Sequence, residues 1–329
     1  MGVRRPPNSA TGESPTSTAS VADSPSVAPG ATELAFPTSS HQPTGSYHLV
    51  QIPLPPAVSD DADSLLAVAR NGAAWAYRDS ARKPGPIHLV HRDGDTVDID
   101  LTPGLELAPQ AAEFSPDGSW LAATDGAGSL WRIDVTTGKG TLLSTGAEQL
   151  VFGLGLAFQS PDRLLVNMVG AVPIPMPSRI ARVALDGGVA VRIDMLTTDP
   201  SAYYPLPLSD GRIAYIHQNF DGTRAVRAIN LAGVEEPLAE LGEAGWTDVS
   251  PDGTSIVYEI NGVSYKLDVA TGAAQTVGPG SRPRISPDGA MIAVLDLAQG
   301  QTAILSLSGT SLGSAASITT AWVQCDEGC

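Results

Sequence analysis

Ser115-Pro116-Asp117-Gly118 sits between two short apolar runs, Ala111–Phe114 and Trp120–Thr124. The chain repeats it letter for letter as Ser250-Pro251-Asp252-Gly253 and Ser286-Pro287-Asp288-Gly289. The repeats have similar flanks: Thr247–Val249 with Ser255–Ile260, and Arg282–Ile285 with Met291–Leu297. Ser160-Pro161-Asp162-Arg163 and Ser209-Asp210-Gly211 are eroded copies. The residue types are those of a tight turn. Serine accepts a local backbone hydrogen bond, proline presets φ at the second position, aspartate tolerates the bridge region, and glycine supplies the positive φ that ends the turn. Loops of three or four such residues close β-hairpins.

With the aspartate as ruler mark, the turns fall at Asp117, Asp162, Asp210, Asp252 and Asp288, in steps of 45, 48, 42 and 36. One step earlier, Asn71-Gly72 lies between Leu65–Ala69 and Ala73–Tyr77, an Asn-Gly hairpin in the same slot. Six marks at a spacing of about 40–45 residues predict an all-β chain, a six-bladed β-propeller of four-stranded antiparallel blades. A single blade cannot bury both faces, so neighbours stack until the ring closes.

The apolar-Ser-Pro-Asp-Gly pattern is followed by strands that end in Asp and a small-residue turn, as in Trp131-Arg132-Ile133-Asp134-Val135-Thr136-Thr137-Gly138 and Tyr265-Lys266-Leu267-Asp268-Val269-Ala270-Thr271-Gly272. This resembles the TolB-type (WD40-like, PD40) propeller repeat over residues 64–310. The resemblance implies the fold and says little about activity. Propellers of this type occur as envelope scaffolds and as the non-catalytic half of prolyl-oligopeptidase-like enzymes. TolB carries an α/β domain ahead of its propeller, and no stretch here reads as one, so its partner-binding role is not carried over.

The chain has 329 residues, of which 34 are Gly and 27 Pro, as a turn-rich fold requires. Only 16% are charged, leaving a substantial apolar core. The net charge of −16 argues against nucleic acid, whose binding needs clustered Lys and Arg. It also disfavours anionic membrane surfaces. No uninterrupted apolar run reaches the roughly 18 residues of a membrane span, and no secretory h-region follows Arg4-Arg5, so direct membrane insertion is not expected.

Residues 1–46 are rich in Pro, Ser, Thr, Ala and Gly without apolar periodicity, and read as a disordered tether ahead of a propeller over residues 47–329. Such tethers commonly join an export signal or anchor to an extracytoplasmic domain. The expected setting is therefore the cell envelope or secretion, with the cytoplasm as the alternative. The sixth blade has three clear strands, and the isolated strand Tyr47–Ile52 is expected to complete it as the outer strand, Ser317–Val323 being the competitor.

Several motifs invite a chemical reading. Gly309-Thr310-Ser311-Leu312-Gly313 matches a nucleophile elbow, but no histidine follows it and the stretch reads as loop. His88 and His91 lie three apart on one predicted strand, which sends them to opposite faces and prevents a shared metal. Asp93, Asp95 and Asp98 around Gly94 could suggest calcium, but the glycine spacing is not that of an EF-hand and Asp-Gly is ordinary turn chemistry. Gly138-Lys139-Gly140-Thr141 lacks the upstream glycine of a P-loop. The recurring Asn71, Asp117, Asp162, Asp210, Asp252 and Asp288 specify turns, whereas catalysis needs one asymmetric constellation. Cys325 and Cys329 could form a disulfide across a small terminal loop, stay free, or bind a metal.

These readings converge on a monomeric, non-enzymatic binding or scaffold module, with no cofactor and no metal site assigned. Its partner is a protein or small-molecule ligand. In an up-and-down blade the Ser-Pro-Asp-Gly turns share one face of the disc, and the connections between blades share the other. The connections are least repetitive and carry the bulky residues, so Tyr203, Met176, Trp246 and Phe220 are the expected binding residues at the funnel mouth. Tyr203 and Met176 are expected to be exposed, whereas Tyr204 and Trp246 could instead pack between blades. The alternatives are a small propeller enzyme of the lactonase or lyase type, or a ligand-sensing ectodomain.

Overall fold

Each Ser-Pro-Asp-Gly copy closes a hairpin by the same bonds. Ser115 Oγ donates to Asp117 Oδ1 at 2.6 Å and accepts the Trp120 N–H at 3.1 Å, while the Gly118 N–H closes onto the Ser115 carbonyl. Ser250 and Ser286 repeat all three bonds. The glycines sit at φ +73, +71 and +75, which only glycine adopts without strain. The computed structural model describes residues 46–55, 65–79, 86–99, 111–125, 127–145, 150–170, 177–186, 189–230, 232–317 and 319–325. All lie in the unit Thr38–Cys329.

The described secondary structure is entirely β, opening with β1 (Ser46–Gln51). Blade one is β2 (Leu65–Val68), β3 (Ala74–Arg78), β4 (Ile87–His91) and β5 (Thr96–Asp98). Blade two is β6 (Ala111–Phe114), β7 (Trp120–Thr124), β8 (Leu130–Asp134) and β9 (Gly140–Ser144). Blade three is β10 (Leu150–Ser160), β11 (Arg163–Gly170), β12 (Ser178–Asp186) and β13 (Val189–Met195). Blade four is β14 (Ala202–Pro207), β15 (Ile213–Gln218), β16 (Arg224–Ile229) and β17 (Glu235–Gly242). Blade five is β18 (Thr247–Val249), β19 (Ser255–Ile260), β20 (Val263–Asp268) and β21 (Ala274–Pro279). Blade six is β22 (Ser281–Ile285), β23 (Met291–Asp296), β24 (Gln301–Ser306) and β25 (Ser311–Ala315); β26 (Thr320–Cys325) follows it. Every blade is a four-stranded antiparallel sheet with strands in chain order, so the six-bladed propeller is as the period predicts.

The core lies between blades. Second strands are buried along their length because a neighbour covers each face: β7 is buried at all five positions. Leu89, Phe114, Leu121 and Ile133 join blades one and two; Trp120, Phe158, Leu164 and Met168 join two and three. Ile256 and Tyr258 pack on Ile216 and Val226 between blades four and five, and Val257 meets Ile292 and Val294 between five and six. Each fully buried side chain of this size contributes about 1.5–3 kcal/mol from burial.

Ring closure differs from the expectation. The fourth strand of blade six is β25, supplied by neither Tyr47–Ile52 nor Ser317–Val323. Instead β1 and β26 pair with each other, Tyr47 opposite Gln324 and Val50 opposite Ala321, as a separate two-stranded sheet. Val50, Ile52 and Ala321 pack on Trp75 and Tyr77 of blade one, and Thr320 bonds Arg284 and Thr302 of blade six. The physical reason is length. The segment 307–310 turns tightly enough for Ser311–Ala315 to fill the outer position, freeing the last strand for the seam. Ser311, expected in a loop, therefore lies on an exposed outer strand. Cys329 and the Cys325 side chain lie outside the described residues, as does the predicted tether up to residue 45. Among the described residues no helix is long and apolar enough to cross a membrane.

Candidate functional site

First strands run toward the Ser-Pro-Asp-Gly turns, so the second-to-third turns and the blade connections emerge together on the opposite face. Three blades place a large side chain at the same point there, four residues before the turn begins. These are Tyr204 in blade four, Trp246 in blade five and Arg282 in blade six. Tyr204 and Arg282 each precede a proline and hold φ +52 and +50, so both backbones are strained at matching positions. The strain accompanies a register shift in β14 and in β22.

Trp246 is held from behind. The Gly245 N–H donates to the Glu259 carbonyl at 2.7 Å, the Glu259 N–H donates to the Trp246 carbonyl at 3.0 Å, and the Arg224 guanidinium donates to the Gly245 carbonyl. The indole is left 46% exposed, with the Arg282 guanidinium 5.6 Å above its ring. Tyr204 is 44% exposed, its ring 6.4 Å from that of Tyr203, and Phe220 at the tip of the β15–β16 turn is 84% exposed. Tyr203, expected to be the more exposed tyrosine, is the half-buried one, because the bulge in β14 turns Tyr204 outward instead. Met176 lies outside the described residues.

Below this rim a second set lines the inner strands, two residues before each turn: Glu113, Asp248 and Arg284. Asp248 Oδ2 accepts the Ile285 N–H of the next blade at 2.8 Å, and Arg284 Nη2 donates to the Thr320 carbonyl at 2.9 Å. Burial pushes the Asp248 carboxyl up and the Arg284 guanidinium down, each opposed by the other's charge. Burial raises Glu113 to about 7, with Arg70 opposing the rise. Aligning the repeats by their turns would have exposed both sets; reading motifs one by one did not.

Sequence reasoning also missed a network around His217. Its Nδ1 lies 2.5 Å from Asp199 Oδ2 and its Nε2 2.9 Å from Asn219 Oδ1. Asp199, buried in the connection from blade three, also accepts the Ser201 N–H and faces Arg227. Tyr215 donates to Glu235 Oε2 at 2.8 Å, and Glu235 Oε1 accepts the Thr198 N–H. Burial and Glu235 hold the Tyr215 phenol far above its usual range. The network fastens the segment leading to Tyr203 and Tyr204 onto the strand leading to Phe220. Its members are far apart in sequence, so no local motif signals it.

The other motifs resolve as turn or strand chemistry. β4 is regular and directs His88 and His91 to opposite faces; His88 lies between Asp98 at 2.9 Å and Asp79 at 3.2 Å. Asp93 accepts the Asp95 N–H, an Asx turn. Among the described residues no three His, Cys, Asp or Glu side chains converge to hold a metal ion.

No protein-family model matches the sequence, and no curated protein matches it. Solved structures do match. An oligogalacturonate lyase in complex with manganese superposes with a TM-score of 0.58 at 15% identity, covering 81% of this chain and 84% of that one. The tricorn protease gives 0.55 at 14% identity, over 79% of this chain and 31% of that one. A candidate TolB from Agrobacterium tumefaciens gives 0.49 at 18% identity, over 67% and 84%. The fold is that of a six-bladed β-propeller. At these identities the likeness is one of fold alone.

Proposed function

We propose that this propeller is a non-enzymatic binding module. Its connection face captures a protein or small ligand, with Tyr203, Trp246 and Phe220 at the rim and Tyr204 and Arg282 added to them. One observation carries the reading: three consecutive blades place an aromatic or arginine at one equivalent position, Tyr204 and Trp246 exposed and Arg282 half-buried over the Trp246 ring, two of them on strained backbone. Tyr, Trp and Arg are the side chains that dominate binding energy in interfaces. The test is capture by Trp246→Ala and Phe220→Ala variants. Each should weaken capture at least tenfold with the melting temperature nearly unchanged. Capture that survives both but fails on Ser119→Lys or Ala290→Lys would move the site to the turn face and end this reading.

A second reading, a lyase-type enzyme, is favoured by Glu113. A carboxyl of near-neutral pKa on an inner strand has the proton affinity a general acid or base needs. The manganese named for the similar lyase finds no donor set among the described residues here.

A further inference from the structure

The sheet of β1 and β26 occupies the place of a blade. Between blades four and five, the Ser209 N–H donates to the Pro251 carbonyl at 2.7 Å; between β26 and blade one, the Gln324 N–H donates to the Arg70 carbonyl at 2.7 Å. Ser209, Pro251 and Arg70 all hold the second position of their turns, so Gln324 stands where a turn residue of a preceding blade would. Gly253 faces Leu208 of blade four and Gly289 faces Pro251 of blade five; Gly72 of blade one faces Val323. β26 is therefore placed as a first strand and β1 as a second. Third and fourth strands of this slot are not formed by the described residues.

The register fixes which groups of β1 face outward. The Ile52 N–H donates to the Thr319 carbonyl, so even-numbered residues of β1 hydrogen-bond toward β26. The N–H and C=O groups of Tyr47, Leu49 and Gln51 point the other way. Outer strands usually blunt such an edge with charge, proline or glycine. The outer strands β17 and β21 follow this rule, with Glu235, Glu236 and Pro237 in one and Pro279 in the other. β1 reads Ser-Tyr-His-Leu-Val-Gln, uncharged at neutral histidine and without proline, the composition of an interior strand.

The slot's walls have unequal charge. Tyr77 packs on the β1–β26 sheet, and its cross-strand neighbours His88 and Asp98 share its face. Asp98 is 81% exposed, and Asp79, beside His88, is 66% exposed. The facing wall of blade six presents Thr302, Ile304, Gly313 and Ala315, which carry no charge.

We propose that the edge of β1 is a docking site for an extended segment of a partner protein, apolar at alternate positions and bearing Lys or Arg toward Asp98. The segment adds to β1 as the slot's third strand, with main-chain bonds for affinity and the acidic wall for selection. This surface is separate from the connection-face rim.

The test uses the full chain and two decapeptides, one alternating Val with Lys and one alternating Val with Glu. Amide exchange of Leu49 and Gln51 should be fast in the free protein, while Val50 and Ile52 are protected. The lysine peptide should slow Leu49 and Gln51 at least tenfold and bind at least tenfold more tightly than the glutamate peptide. Leu49→Pro removes an outward N–H that β26 does not use, so it should abolish peptide binding while keeping the fold; Asp98→Asn should erase the preference for lysine. Protection of Leu49 and Gln51 in the free full chain would assign the slot to this chain's own residues. That result, equal binding of both peptides, or binding unaffected by Leu49→Pro in a folded variant would each overturn the proposal.

Discussion

The Gln324 N–H and the Arg70 carbonyl, 2.7 Å apart, join the last strand of the ring to the first turn of blade one. Beside that bond, a Cβ on Gly72 would lie 2.7 Å from Val323 Cγ1, at φ +66. Gly72→Ala should therefore cost about 2–4 kcal/mol, from backbone strain and overpacking together. Gly94, also at positive φ, faces open space, and Gly94→Ala should cost only the strain, about 1–2 kcal/mol. In a double-mutant cycle measured by urea unfolding, Val323→Ala should couple to Gly72→Ala by about 1 kcal/mol or more and to Gly94→Ala not at all.

Glu113 carries a pH signature. Its folded pKa of about 7 stands above the ordinary glutamate value of 4.5, so the native state holds a proton that the unfolded state releases between these values. Stability from this group is therefore greatest below about 4.5 and is lost as pH rises through 7. Glu113→Gln should raise stability at pH 8 by on the order of 2 kcal/mol and should have little effect at pH 4.5. Chemical denaturation at the two pH values measures it.

The repeated turns differ in how much each serine holds. Ser115 is buried and satisfies the Trp120 N–H inside the hairpin. Ser115→Ala strands that amide and should cost about 1–3 kcal/mol. Ser160, whose bond to Asp162 Oδ1 lies at an exposed site, should cost about 1 kcal/mol or less when replaced by alanine.

Asp199 is the buried acidic side chain between His217 and Arg227. Asp199→Ala removes the hydrogen-bond partner of both groups and should cost about 1–3 kcal/mol. Adding His217→Ala to that background should cost far less than His217→Ala alone, because the partner is already gone. Thermal unfolding of the four proteins provides the check.

The fold was legible because it is written six times. The turn residues Asn71, Asp117, Asp162, Asp210, Asp252 and Asp288 are local, and their spacing alone predicts the blades. Ring closure was not legible. Nothing in Ser311–Ala315, with its glycine and serines, marks an outer strand over the more apolar Tyr47–Ile52, and the choice is made by the short turn at 307–310. The rim was half legible. Composition singled out Tyr203, Trp246 and Phe220, but which tyrosine faces outward depends on a bulge before Pro205. The Asp199–His217 network depends on three strands and a connection meeting in space, which no window of sequence contains.

The most direct measurement of the binding account is hydrogen–deuterium exchange of the propeller with and without its captured partner. Protection is predicted over residues 199–204, 219–224, 243–247 and 280–283, with the Ser-Pro-Asp-Gly turns unchanged. Protection confined to those turns, with the connection segments exchanging as in the free protein, would contradict it.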